Sequence, residues 1–212
     1  MPKIIGESLA SHRELTRTRL FEALGSLMGE QSFESITMSQ IAERAGVGRT
    51  AVYNHFADKE VLLLAYMREV TEEFTRVLTA RLESEPDPLM RLRIYIRAHL
   101  QMISRYHVKA GTGLRRQMSG QGASHLHDHA GVVGELLIGI LDEAMERGLI
   151  VEQNTLGAVH LIHATLQGQR LPQDPAHRES ALLLVETFIL RGLGASEENV
   201  RQVTASSLAS GE

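Results

Sequence analysis

Apolar positions recur every three or four residues along most of the chain, which is the period of an amphipathic helix. Leu20, Phe21, Leu24, Leu27 and Met28 space a helix over about 12–30. Met38, Ile41, Ala42 and Ala45 space a short one, with Thr37 placed to cap its start and Gly46 to end it in the left-handed region. Residues 49–56 form a third helix. Asp58 can cap a long fourth one over about 59–84, with Leu63, Met67, Val70, Phe74, Val77 and Leu78 on one side. Two prolines in ESEPDP stop it. Leu89, Leu92, Ile96, His99, Ile103 and Tyr106 then mark a helix over 88–107. The Gly- and Ser-rich stretch 109–124 reads as a loop holding a short helix near 112–118. Helices follow over 125–147, 155–167 and 178–191. Beyond Gly192 the residues are small and polar and read as a frayed tail.

Strand signals are weak, because β-branched alternation is rare and no hairpin dipeptide occurs. The pattern therefore predicts an all-α fold of about nine helices: an N-terminal three-helix head and a C-terminal helical bundle. The expected boundaries are 1–58 for an N-terminal arm with the head, 59–193 for the bundle, and 194–212 for a flexible tail.

Composition narrows the chemistry. The 212 residues contain no cysteine, which removes disulfides and thiolate metal sites and suits a reducing cytoplasm. No apolar run approaches a membrane span, and the first residues lack a signal-peptide core. No His-Glu-x-x-His, nucleophile elbow or phosphate loop is present, so neither an enzyme nor a cofactor is expected. The net charge is −4. Within residues 1–60, seven Lys and Arg stand against eight Asp and Glu, a net of −1. A nucleic-acid reading must therefore rest on where the cations sit.

They sit tellingly in ITMSQIAERAGVGRTAVYNHFADKEVLL. Two short helices joined by AGVG have the shape of a helix-turn-helix. Small Ala42 and Ala45 allow close crossing, Val47 and Val52 fill the angle, and Phe56 anchors the unit on the Phe21 and Leu24 face. Arg49, Thr50, Tyr53, Asn54 and His55 are left facing outward. Arg49 can reach guanine edges and Thr50 a thymine methyl. Tyr53 and His55 can donate to phosphates, and Lys59 can pair with one. The motif resembles the DNA-binding region of TetR-type transcriptional regulators over about residues 15–65. The matching residues are Thr37, Ile41, Ala42, Ala45, Gly46, Val47, Val52, Tyr53, His55, Phe56, Lys59, Glu60 and Leu62. The resemblance implies a recognition helix at 48–55. It also implies phosphate contacts from Thr37, Tyr53, His55 and Lys59, and base contacts from Arg49, Thr50 and Asn54. Gly48 departs from the serine usual there and removes a side-chain cap. Lys3, His12, Arg13 and Arg17 allow an arm on the adjacent DNA, or a solvated tail.

The resemblance further implies a homodimer on a palindromic operator, and a repressor released by a small organic effector. The helix around 182–190 is apolar on most sides and needs cover from its own bundle and from a partner copy. The candidate effector contacts are Tyr66, Met67, His99, Met102, Ile103 and His163. An alternative is a metal site from His99, His125, His129 and His163. Seven Arg and Lys between Asp87 and Asp128, with no acid among them, allow an anionic effector. The competing reading pairs Arg91 and Arg97 with the acids of EVTEEF.

Overall fold

A computed structural model describes the backbone of residues 3–106 and 120–206 and the side chains of 11–104 and 133–206. Among the described residues there are nine α-helices and no strand. They are α1 (Lys3–Glu30), α2 (Met38–Ala45), α3 (Arg49–His55), α4 (Lys59–Glu83), α5 (Pro88–Tyr106), α6 (Gly120–Glu146), α7 (Thr155–Gln167), α8 (Pro175–Gly192) and α9 (Glu197–Ala205). A 3-10 turn, Phe33–Ser35, lies between α1 and α2. No described helix is long and apolar enough to cross a membrane.

The chain divides into two compact units, 1–70 with 106–127 and 71–105 with 128–212, so that one boundary crosses α4 between Val70 and Thr71 and another crosses α6 between His127 and Asp128. The first is built around Leu20, Leu24, Ile36, Ile41, Val52, Leu62 and Leu63, each at most 1% exposed. α1 supplies one wall. Phe21 packs its ring, tilted, against those of Phe56 and Tyr66, with centroids 5.8 Å apart in both pairs. The second unit packs α5, the later turns of α4 and α6, and α7 to α9 around Leu78, Leu92, Tyr95, Ile96, Leu137 and Leu166.

Local chemistry sets the ends. Asp58 Oδ1 accepts from the backbone N–H groups of Glu60 and Val61, as expected of a cap. Asp87 Oδ1 likewise accepts from Leu89 N–H after the proline break. Gly148 takes φ +65° just past α6, a left-handed stop that glycine occupies without a Cβ clash.

Four expectations need correction. Residues 3–11 are helical and continue α1, because no proline interrupts them and their one glycine costs little in a helix this long. α6 begins at Gly120, so 120–124 is helix and not loop. The short helix expected near 112–118 lies outside the described residues. α8 begins at Pro175, because Asp174 caps it and proline suits the first helical position. The frayed tail is wrong over 197–205. Ser196 caps α9, and Val200 and Val203 are buried in the core of the second unit. The polar run hid two valines three apart, enough for one buried stripe.

Candidate nucleic-acid interface and a buried histidine cluster

The first unit displays α3 by fixing both of its neighbours. Thr37 and Gln40 form a reciprocal capping box at the start of α2: Thr37 Oγ1 accepts from Gln40 N–H at 3.3 Å, and Gln40 Oε1 accepts from Thr37 N–H at 2.8 Å. Gly46 turns the chain with φ +66°, and Val47 N–H donates to Ala42 O at 3.0 Å. Gly48 caps α3 with no side-chain bond, as its missing hydroxyl requires. Val52 is fully buried, so the opposite face of this two-turn helix must face out.

That face carries Arg49, Thr50, Tyr53 and Asn54, all exposed, with Tyr53 53% exposed. Arg49 has no hydrogen-bond or ion-pair partner among the described residues, so its guanidinium fork is free to read a base edge. Thr37 is exposed at the first turn of α2. His55 is only half-exposed, and its ring lies 6.2 Å from Phe56. Burial, helped by the Arg13 charge, lowers its pKa and favours the neutral ring, which keeps one N–H donor.

Lys59 is placed differently from its sequence reading as a phosphate contact. Its Nζ donates to the carbonyls of Phe33, Glu34 and Ile36 at 3.1, 2.8 and 3.0 Å, and lies 4.9 Å from the Phe33 ring centroid. Three donors meet three acceptors, so the ammonium fastens the 3-10 turn to α4.

The second unit contains a cluster that sequence reasoning found only in part. His99, on α5, is 7% exposed, and neither ring nitrogen has a hydrogen-bond partner among the described residues. Its ring stacks between Tyr95 at 5.8 Å and His163 of α7 at 5.4 Å, with the edge of Phe74 at 6.0 Å. Tyr95 Oη and His163 Nε2 share a 2.7 Å hydrogen bond. Burial holds His99 down to about 3, so it is neutral at pH 7, and burial pushes the Tyr95 phenol well up. Two orphaned ring nitrogens in such a core cost about 1–3 kcal/mol each. Tyr95 was missed. Its signal was the four-residue spacing to His99, which puts both on one face of α5.

Met102 and Ile103 are half-buried three and four residues beyond His99. Tyr66 is not part of this cluster: it is buried in the first unit against Phe21, where its hydroxyl sits so close to Gly25 that an added Cβ would lie 2.7 Å away. Met67 is half-buried on α4. Among the described residues no group of three or more metal-ligating side chains converges. His125 and His129 lie outside the described side chains, as do Arg105, Lys109, Arg115 and Arg116.

The described arginines of α5 are engaged, but not by EVTEEF. Arg91 pairs with Glu143, and Arg97 with Glu179 and Glu186. Arg93 Nε donates to the fully buried Glu186 at 2.9 Å, and its Nη1 donates to the carbonyls of Val203 and Ser206 at 2.7 and 2.5 Å. The carboxylates come from α6 and α8 because these helices pack on α5, a proximity no sequence spacing announces.

Large apolar side chains stay exposed on the same unit. Leu156 and Leu161 on α7 are 60% and 72% exposed, and Leu184 and Phe188 on α8 are 71% and 64% exposed. Leu184 and Phe188 stand one turn apart and form a stripe.

Comparison with known proteins agrees with the first unit. Residues 20–66 match the family described as bacterial regulatory proteins, tetR family. The HTH-type transcriptional regulator Rv1255c of Mycobacterium tuberculosis is 30% identical over 94 residues, 44% of this chain and 46% of that one. The chain thus spans under half the length of this curated relative. A solved bacterial regulatory protein in the tetR family from Rhodococcus RHA1 superposes with a TM-score of 0.73 at 20% identity, over 86% of this chain and 98% of that one. AibR, solved with isovaleryl coenzyme A and operator DNA, superposes with a TM-score of 0.71 at 17% identity, over 82% and 97%. At these identities the two structures show the shared fold. Residues 20–66, the helix-turn-helix head with its capped α2 and α3, thus match the tetR family of bacterial regulatory proteins, and the described chain shares the all-α fold of solved members of that family.

Proposed function

We propose that this chain is a homodimeric repressor that binds a palindromic operator through α3 and is released by a small organic effector held in the second unit. The observation that carries the DNA reading is the outer face of α3, where Arg49, Thr50, Tyr53 and Asn54 are exposed together while Val52 and Phe56 secure the helix. Arg49 and Thr50 are the base-reading pair, with Asn54 beside them. Tyr53, Thr37 and the neutral His55 donate to phosphates.

A two-fold dimer places two such helices about 34–36 Å apart, one turn of DNA. The exposed Leu156, Leu161, Leu184 and Phe188 support the dimer, since a lone protomer would leave them in water. The structure reported for AibR contains both an acyl coenzyme A and operator DNA, which supports a ligand-responsive reading for this fold. Effector binding then acts by population shift, favouring a dimer whose heads no longer fit the operator. α4 runs unbroken across one boundary of the two units and is a covalent route for that coupling.

A gel-shift selection with randomised duplexes tests the reading. The protein should select one palindromic site with salt-dependent affinity. Arg49→Ala should weaken that site by about 1–3 kcal/mol and relax preference at one base position per half-site. An unchanged selection profile would remove Arg49 from base recognition.

A further inference from the structure

The cluster around His99 narrows the chemistry of the effector, an inference that rests on the ligand-responsive reading above. We infer that the second unit takes a neutral aromatic hydroxy compound, its ring lying against Phe74, Tyr95 and His163 and its O–H group meeting a ring nitrogen of His99.

Buried polar groups in native proteins are hydrogen-bonded almost without exception, so an imidazole with both nitrogens unpartnered among the described residues and fully enclosed points to a partner. The described ring neighbours do not supply one. The Tyr95 hydroxyl is directed to His163 Nε2 at 2.7 Å and lies 3.4 Å from Val133 O. Phe74 offers only carbon.

A neutral imidazole has one N–H donor and one bare acceptor. A hydroxyl satisfies either, because it donates and accepts, so it fits whichever tautomer is present. An ether accepts only, and fits one tautomer alone. A carboxylate also accepts only, and it brings a charge that no described side chain of α5 balances: His99 is uncharged at pH 7, and Arg91, Arg93 and Arg97 already face Glu143, Glu186 and Glu179. The walls are flat and aromatic. Rings at 5.4–6.0 Å around His99 favour a planar guest over a long alkyl chain. Room can come from Met102, one turn beyond His99 on α5 and partly buried against this core, whose unbranched side chain repacks readily.

The test is titration calorimetry on the full-length, DNA-free protein at pH 7.5, with phenol, anisole and benzoate as probes. Phenol should bind at millimolar concentration or below, at least about tenfold tighter than anisole or benzoate. His99→Leu should erase that preference, and His99→Gln, which keeps a donor and an acceptor, should retain it. Ligand-free His99→Leu should melt no lower than the parent, because it removes two orphaned polar atoms. If His99→Leu fails to fold, the ranking of the three probes on the parent protein still decides. Four results overturn the inference: no phenol binding at about 10 mM, equal binding of anisole or benzoate, unchanged preference in His99→Leu, or stoichiometric metal on His99 in untagged protein. DNA is absent throughout, so failure here with intact operator binding rejects the effector class alone. Loss of operator binding with the expected ranking rejects the regulator reading alone.

Discussion

Lys59 shows how a charge beside a candidate nucleic-acid interface can serve the fold. Its ammonium donates to three backbone carbonyls of the segment before α2, and the Phe33 ring lies beneath it. Lys59→Met should therefore lower stability by about 1–3 kcal/mol, seen as a reduced urea midpoint. The folded variant should keep the salt dependence of operator binding. A lost phosphate contact would instead reduce the slope of log K against log salt by about one. His99 gives a second residue-scale expectation. Its folded pKa is held down to about 3 from an ordinary 6.5, so its contribution to stability is fully present above about pH 6.5 and is lost as pH falls toward 3. Between pH 6.5 and 5, above the range in which carboxylates titrate, the melting temperature should fall. The slope for this one proton is at most about 1.4 kcal/mol per pH unit. His163 and His55 are displaced in the same direction by burial, so His99→Leu should flatten the profile without abolishing it.

At the scale of the element, α9 is the informative case. It is short and polar outside, and it belongs to the fold because Val200 and Val203 are buried and because Arg93 reaches its last carbonyls. The same guanidinium pairs with Glu186, which is 0% exposed and also receives Arg97. Removing α9 strips Arg93 of three backbone acceptors, the carbonyls of Val203, Thr204 and Ser206, and exposes the surface that the valines covered. A chain ending at Ala195 should lose about 1.5–3 kcal/mol for each valine, and more from the half-satisfied arginine. Calorimetric melting of the truncated chain measures this, and an unchanged transition would mean that α9 contributes nothing. The turn leading into α9 is equally constrained. Gly194 has φ +78°, and a Cβ there would lie 2.6 Å from Val151 Cγ1.

For the whole molecule the open question is the partner surface. Leu184 and Phe188 are 71% and 64% exposed on α8, whose opposite side is buried, so their replacement leaves the protomer core intact. The double variant Leu184→Glu, Phe188→Glu should sediment as a monomer while keeping its helical circular dichroism. It should also lose the tight binding that two linked half-sites provide, retaining only weak half-site affinity. A dimer that survives both glutamates would place the interface on another face.

Much of this molecule was legible along the chain because helices, caps and stops are local. Thr37, Gly46, Asp58 and the proline break each act within a few residues, and the helix-turn-helix follows from their spacing. The outward set on α3 was legible for the same reason: on a helix two turns long, burying Val52 and Phe56 leaves few faces to choose from. The sequence could not say which distant groups would meet. Lys59 turns to carbonyls 23 to 26 residues earlier, Arg93 to carbonyls more than a hundred residues later, and His99 joins His163 across two helices. The polar tail became a helix for this reason, since one buried stripe is enough once a core exists to receive it. Periodicity and capping, which depend on neighbours in sequence, determined the helices and the outward face of α3. Packing, which depends on neighbours in space, decided which charges pair, which histidine has no partner among the described residues, and which leucines remain in water.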